Sequence, residues 1–541
     1  MADAYLDWAY DQWLTKCHAA NNVALPGNSW SPLVNPPAGT LTQPSGFQIA
    51  NYSIYAVDLQ LQSISQTTAP TGVQSTSAGD TIYNYLASVD VSMKTTVKAA
   101  PITVMARRVF QKVIQSPWQY AIFFNDDLEI HPSPKFTVNG WVHTNGSLYA
   151  SPDGGNPLIF LDPRVEYSVP PPSPYQVVGY APGDTRGTGT SHAGLAPGDT
   201  FAANPTAASR QDPFGISPSQ FNATDTNPNN DGYRELLERP NTAFTDPFTS
   251  GTDQNNNPIN PRYYSAADVK VLVDASNNVT VLLGTGAGTP ITGAASDPNK
   301  AVYTAIMSTL TTGQTIEDWR ENTASERLVT LDMGALKTAA DGGKITGWNG
   351  VVYISDTSAS STAKRAVRVK NGSAVPTNGV TVVTDNPLYV QGDFNTATDA
   401  SGKHQPTALV GDAINVLSNA WVDANSTSTT APNATSTTVN AAFLAGIVPT
   451  DGSQGSKYYS GGVENFPRFH ENWSGQTFTY NGSMVELFYS QQATGRWSDA
   501  KYSAPTRNWA FDTIFRTTPP PGSLMLTKYT RQVQYNHTNF Q

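Results

Sequence analysis

The 541 residues carry 32 Lys and Arg against 42 Asp and Glu, a formal net charge of -10, with only 14% charged residues in all. That acidity, without any Lys/Arg cluster interleaved with aromatics, argues against nucleic acid as a partner, and the single cysteine, Cys17, excludes an internal disulfide and a multi-cysteine metal site. The 42 Gly and 39 Pro, among long Ser/Thr/Asn-rich tracts, mark a loop-rich β protein of two or three domains or one elongated solenoid.

Residues 1–22 read as a helix, because Leu6, Tyr10, Trp13 and Cys17 recur at helical spacing on one face and Pro26 and Gly27 follow. It reads either as an amphipathic helix docked on the core or as the tail of a longer helix whose upstream part is missing. The sequence shows no apolar run long enough to cross a membrane and no signal peptide, so membrane attachment is expected only through such an upstream helix. Low Lys content and the polar bias suggest export. Beyond a Pro-rich linker, Tyr52 to Ser63 and Tyr83 to Met93 alternate as strands, while Met105 to Ile114 has helical spacing and stops before Ser116-Pro117, which makes 23–120 a small α+β region.

Strands return over 121–156. Residues 157–326 are expected as a loop-rich excursion, rich in Pro, Gly, Asn and Thr up to Asn260 and then carrying a hairpin (Val269 to Val273, Val279 to Leu283) and a helix (Asn299 to Leu310). From 327 to 541 strand and turn signals alternate, interrupted by an expected helix over Thr407 to Trp421 and an expected mobile loop over Ala424 to Thr438. Gly379 to Thr396 (GVTVVTDNPLYVQGDFNT) reads as one turn of a coiled β-structure, with two alternating runs separated by Asp385-Asn386-Pro387. Its pattern of apolar residues ahead of a Gly recurs in Phe136 to Val142 and Phe478 to Met484, so Val138, Val390 and Tyr480 are expected inside strands, each ahead of a turn or bulge at Gly140, Gly392 and Gly482. The fold class expected is mainly β: a partly coiled, β-helix-like scaffold with an N-terminal α-helix, a small α+β region and a long loop-rich excursion.

The strings ITVMARRVFQKVIQSPWQYAIFFNDDLEIHPSPKFTVNGWVHTNGSLY, NPNNDGYRELLERPN, VTVVTDNPLYVQGDFNT, DAINVLSNAW and YSAPTRNWAFD, with Ile316 to Met333, resemble large exported proteins of Gram-negative bacteria related to the PilX-like accessory pilins. In that family an N-terminal transmembrane helix leads into a β-rich body, and the activity where known is pilus assembly or adhesion. The resemblance implies a cell-surface or extracellular, non-enzymatic structural or adhesion protein whose partners are other pilus or surface proteins. The alternative is a carbohydrate-active β-helical protein that binds or degrades polysaccharide.

Among candidate sites, Asn227 to Glu238 has the sharpest spacing. Calcium loops place oxygen ligands at alternate positions, a Gly at the sixth and a bidentate Glu at the twelfth. Asn227, Asn229 and Asp231 fall at positions one, three and five, Gly232 at six and Glu238 at twelve, with the Tyr233 carbonyl at seven and Asp225 as a possible replacement for the first ligand. Arg234 stands where an apolar residue is usual, and the competing reading is an Asn/Asp turn capping the short helix YRELLE. Asp126, Asp127 and Glu129 beside His131 form a second candidate, since Asp127 and Glu129 would share one face of a strand. His470-Glu471 lacks the second His of a zinc helix, and Gly284, Gly286 and Gly288 read as a hairpin loop rather than a dinucleotide fingerprint. Trp348, Trp421, Trp473, Trp497 and Trp509 are candidates for a sugar-binding face.

Overall fold

The computed structural model describes residues 3–11 apart from 5, then 47–49, 54–63, 81–95, most of 102–181, most of 200–248 and most of 261–535. It is mainly β, and its chain divides into two compact units. One comprises 1–116, 249–259 and 524–541; the other comprises 117–248 and 260–523. Among the described residues, no helix is long and apolar enough to cross a membrane.

The first unit is an antiparallel sheet with a helix. Residues 3–4 and 6–11 are helical. Leu6 and Ala9 are fully buried, the Tyr10 ring meets Phe110 edge-on at 5.2 Å, and Arg108 pairs with Asp3 and Asp7. The helix therefore packs on the strand Ile102–Gln115. Trp13, Cys17 and the rest of the expected helix lie outside the described residues. Ile102–Gln115 contains the stretch expected to be helical, and it is a strand instead, pairing with Thr81–Thr95 on one side and Leu526–Tyr535 on the other. Its β-branched residues (Ile102, Thr103, Val104, Val109, Val113, Ile114) suit a pleated surface, and two neighbouring strands override the local helical spacing. The register sets Leu526 opposite Gln115. Two strands that pair directly in the first unit's sheet are thus separated in the chain by residues 117–523, of which 249–259 belong to the first unit.

The second unit is a coil of short parallel strands, two or three to a turn. A first ladder runs through Val351–Asp356, Val380–Val383, Thr407–Gly411, Ala442–Ile447 and Met484–Tyr489. A second runs through Arg365–Lys370, Leu388–Gln391, Ile414–Leu417 and Pro467–Phe469, and a third through Thr437–Asn440, Thr477–Gly482 and Thr506–Phe511. Strands buried on both faces read as continuous apolar runs. That explains the Thr407 to Trp421 expectation: what looked helical is two strands, Thr407–Gly411 and Ile414–Leu417, on different faces of the coil. The corner between them is held by Asp412, whose carboxylate accepts the backbone N–H groups of Gln491, Gln492 and Ala493 at 2.8 to 2.9 Å. The expected loop Ala424 to Thr438 shares the 3-10 turn Asp423–Thr427 and runs into the strand Thr437–Asn440.

The order of turns along the stack is not their order along the chain. The chain enters at Ile122–Phe124, which pairs with both Met484–Tyr489 and Val142–Thr144. It winds outward through Leu128–Ile130, Phe136–Val138, Leu148–Ala150, Leu158–Phe160 and Val165–Tyr167 to Thr206–Ala207. Strands from the segment expected as an excursion therefore continue the coil. The chain then resumes at the far end of the stack with Val269–Val273, where the hairpin to Val279–Leu283 forms with Asn277 at φ 64°, and winds back to meet its own beginning at Met484. The far edge of that hairpin, Thr289–Ile291, carries Pro290, a residue that discourages further strand addition.

The three similar segments all lie at coil corners, though at two kinds. Phe136–Val138 and Thr477–Gly482 both precede a step into the first ladder, whereas Leu388–Gln391 precedes the step to Phe394, which bridges to Val439. Val138, Val390 and Tyr480 are buried in strands, as the pattern predicts. Gly140 (φ 128°) and Gly392 (φ 78°) adopt conformations that favour glycine. Gly482 is needed for a different reason, since a Cβ there would stand 2.0 Å from the Ala441 carbonyl oxygen.

Candidate functional site

The twelve-residue loop shows how an oxygen-rich turn is satisfied without a metal geometry. The Asp225 carboxylate accepts the Asn227 N–H (2.7 Å) and the side-chain amides of Asn222 and Asn230. Asn227 Oδ1 accepts the Asn229 N–H, and Asn229 Oδ1 accepts the Asn241 N–H. Tyr233 is buried with its hydroxyl on the Ile216 carbonyl, Asp231 is exposed, and Glu238 pairs with Arg234. The side-chain oxygens of Asp225, Asn227, Asn229 and Glu238 are thus engaged in turns and an ion pair, and no group of three or more His, Cys, Asp or Glu able to hold a metal occurs among the described residues.

The charge at the heart of this segment belongs to Arg262. Its fully buried guanidinium donates to the carbonyls of Asn229 (2.8 Å), Glu235 (2.6 Å) and Glu238 (3.3 Å) and to the carboxylates of Glu235 (2.6 Å) and Asp246 (2.9 Å). A planar fork of donors is suited to such a ring of oxygens, and burying it is tolerable only because its donors are engaged. Arg234 reaches the other way, to Asp412 Oδ1 (3.0 Å) and the Asp385 carbonyl (2.8 Å), and so ties the segment to two corners of the coil. The sequence signal for this ion pairing was Arg234, a cation already inside the loop. Arg262 is too distant in sequence to be read as its partner.

The acidic candidate is also rearranged. Asp126 and Asp127 occupy the corner after Ile122–Phe124, Asp127 exposed and accepting the Ser147 N–H at 2.7 Å. Glu129 is buried, accepting from the Thr450 hydroxyl at 3.0 Å, and His131 donates from Nδ1 to the Ser151 carbonyl at 3.0 Å. Asp127 and Glu129 therefore do not form one exposed pair. The partner of Asp126 is Glu486, brought alongside by the seam of the coil. Burial, followed by the Asp126 charge, pushes the Glu486 carboxyl well above its usual range, and burial followed by Asp127 also raises Asp126. Glu486 Oε2 accepts the N–H groups of Asn125 and Asp126, so the pair closes the corner.

A third group, unsuspected from sequence, lies where the antiparallel pair Leu310–Asp318 and Ala324–Asp332 joins the second ladder at Arg365–Lys370. The Tyr389 hydroxyl stands 2.7 Å from both Asp318 Oδ2 and Glu326 Oε2, all fully buried. One phenol proton serves one carboxylate, so the other carboxyl must bring its own. Burial, then Asp318, holds Glu326 well above the ordinary range, which makes it the protonated partner donating to Tyr389. Burial opposes the charge on Asp318, but His470, Arg468 and Tyr389 outweigh it and bring that carboxyl down to about 2. His470, lowered by burial to about 4, is neutral at neutral pH and bonds Asn415 Oδ1 through Nε2 (2.9 Å), while Glu471 accepts from Ser418. Both residues of the His470-Glu471 pair are structural.

The remaining candidates separate. Gly284, Gly286 and Gly288 all have positive φ in the loop between hairpin strands, consistent with the turn reading. Trp421 and Trp473 are buried in the core and Trp497 lies outside the described residues, so the tryptophans do not make a common sugar-binding face; Trp348 and Trp509 are half-buried.

Fold and sites together define a mainly β protein of two units, a helix-bearing antiparallel sheet and a coil of stacked turns held by buried charge networks. No family model and no curated protein matches the chain. Among solved structures it is similar to the competence-associated pilin ComZ from Thermus thermophilus, with 11% identity, 100% of this chain and 96% of that chain covered, and a TM-score of 0.31.

Proposed function

We propose that this protein is a non-enzymatic structural component of a bacterial pilus or cell surface, with a β-helix-like coil carried by a helix-on-sheet module. The observation that carries the reading is the first unit: an N-terminal helix seated through Leu6, Ala9 and Tyr10 on an antiparallel sheet, two of whose directly paired strands are separated in the chain by residues 117–523. The buried carboxylates of the coil fit the same reading, since Asp412, Glu471 and Glu486 each accept backbone N–H groups and so close corners. Partners are then other pilus or surface proteins of a Gram-negative cell. Shearing pili from cells that encode the chain and probing the sheared fraction with antibody tests this. Co-fractionation with the pilus is expected, and recovery in the cytoplasmic fraction alone would overturn it.

A further inference from the structure

A cleft of about 570 Å³ opens on the second unit between the end of the helix Met333–Asp341, the loop 345–350, the coil corner 376–379 and Pro521. Its size is that of a small-ligand site. Its chemistry is specific in two respects. Trp348 is half-buried and held by its Nε1–H on the Val351 carbonyl (3.2 Å), so part of the ring remains a fixed apolar platform. Around it stand Asp341, Asn349, Thr377 and Asn378, and the lining holds no Lys or Arg. Asn378 is exposed, and its side-chain amide makes no hydrogen bond with any described residue, whereas its backbone N–H is fixed on Gln405 (3.1 Å).

The walls are rigid. Asp341 accepts both the N–H (2.9 Å) and the hydroxyl (3.1 Å) of Thr377, which locks the helix end to the coil corner. Gly350 and Gly379 have positive φ and are packed so closely that a Cβ would stand 2.8 Å from Pro521 at the first and 1.8 Å from the Pro406 carbonyl oxygen at the second. A preformed cleft loses little entropy on binding.

We propose that this cleft binds a neutral saccharide unit. The C–H face of a pyranose matches the exposed part of the Trp348 ring, its hydroxyls match the free Asn378 amide and the oxygens of Thr377 and Asp341, and with Asp341 already paired with Lys337 the lining offers no unpaired cation to recruit an anionic ligand. The site goes beyond the pilus reading and does not depend on it, so loss of one leaves the other standing.

The test is calorimetric titration of the full chain with cellotetraose, mannotetraose, galactotetraose and, as the acidic comparison, a tetragalacturonate. Saturable binding of at least one neutral tetrasaccharide is expected, weakened about tenfold or more by Trp348→Ala. Asn378→Gly, which removes the amide and keeps the positive φ, provides a second variant that folds without strain and should weaken the same saccharide. Three outcomes would overturn the proposal: no saturation with any neutral member, unchanged affinity in both variants, or the acidic member binding as tightly as the neutral ones.

Discussion

Arg262 shows how one buried residue organises a polar segment. The run from Asn227 to Glu238 wraps a guanidinium supplied from outside it, through the carbonyls of Asn229 and Glu235 and not through the side chains expected to hold calcium. Arg262→Met should destabilise by roughly 3 to 5 kcal/mol in chemical denaturation, because it strands the buried Glu235 and Asp246 carboxylates. Melting of the wild-type protein, stripped of metal beforehand, should be the same in calcium and in chelator. Glu326 offers a second residue-level prediction with a definite sign. Its folded pKa lies above the unfolded value, so between about pH 4.5 and the folded pKa the native state binds more protons, and stability falls as pH rises. His470 acts in the opposite sense: lowered to about 4, it withholds a proton that the unfolded chain takes up below about pH 6.5, and stability falls as pH drops through that window. Comparing Glu326→Gln with wild type isolates the first effect. The variant should gain relative stability by up to about 1.4 kcal/mol per pH unit above pH 4.5, and a pH-independent difference between the two would show that Glu326 is not the protonated partner.

At the scale of elements, the corners of the coil carry the specificity. Its strands are short and nearly all buried, so any of them could slip were the corners not fixed by close approach and by side chains such as Asp412. Gly402, with φ 75° and nothing near its absent Cβ, is a useful control for Gly482, whose Cβ would collide with the Ala441 carbonyl. Gly402→Ala should cost about 1 kcal/mol from backbone strain alone, and Gly482→Ala distinctly more, as read from denaturation midpoints. The expected helices over Met105 to Ile114 and Thr407 to Trp421 failed for a shared reason. Apolar residues that do not alternate strictly fit helical spacing as readily as strand spacing, and only the neighbouring strands decide; Thr407–Gly411 and Ile414–Leu417, buried throughout, have no polar alternation at all.

Across the second unit, the two runs of the chain, 117–207 and 269–511, wind as one stack although their order in space is the reverse of their order in sequence. The seam at Ile122–Phe124 against Met484–Glu486 is consequently an interior pairing, and hydrogen exchange followed by mass spectrometry should find the amides around Phe123 protected to the same degree as those around Leu444. Faster exchange at Phe123 would mean that the runs open independently. The sequence by itself determined the β-rich composition, the N-terminal helix, the corner glycines and the hairpin at Asn277, because each depends on local alternation, helical spacing or backbone freedom. Tertiary structure alone decided the seam, the pairing of Glu486 with Asp126, the sharing of Tyr389 between two carboxyls, the seat of Arg262 and the cleft beside Trp348. Those features join residues tens to hundreds of positions apart, and the register of stacked turns that brings them together leaves no trace in local spacing.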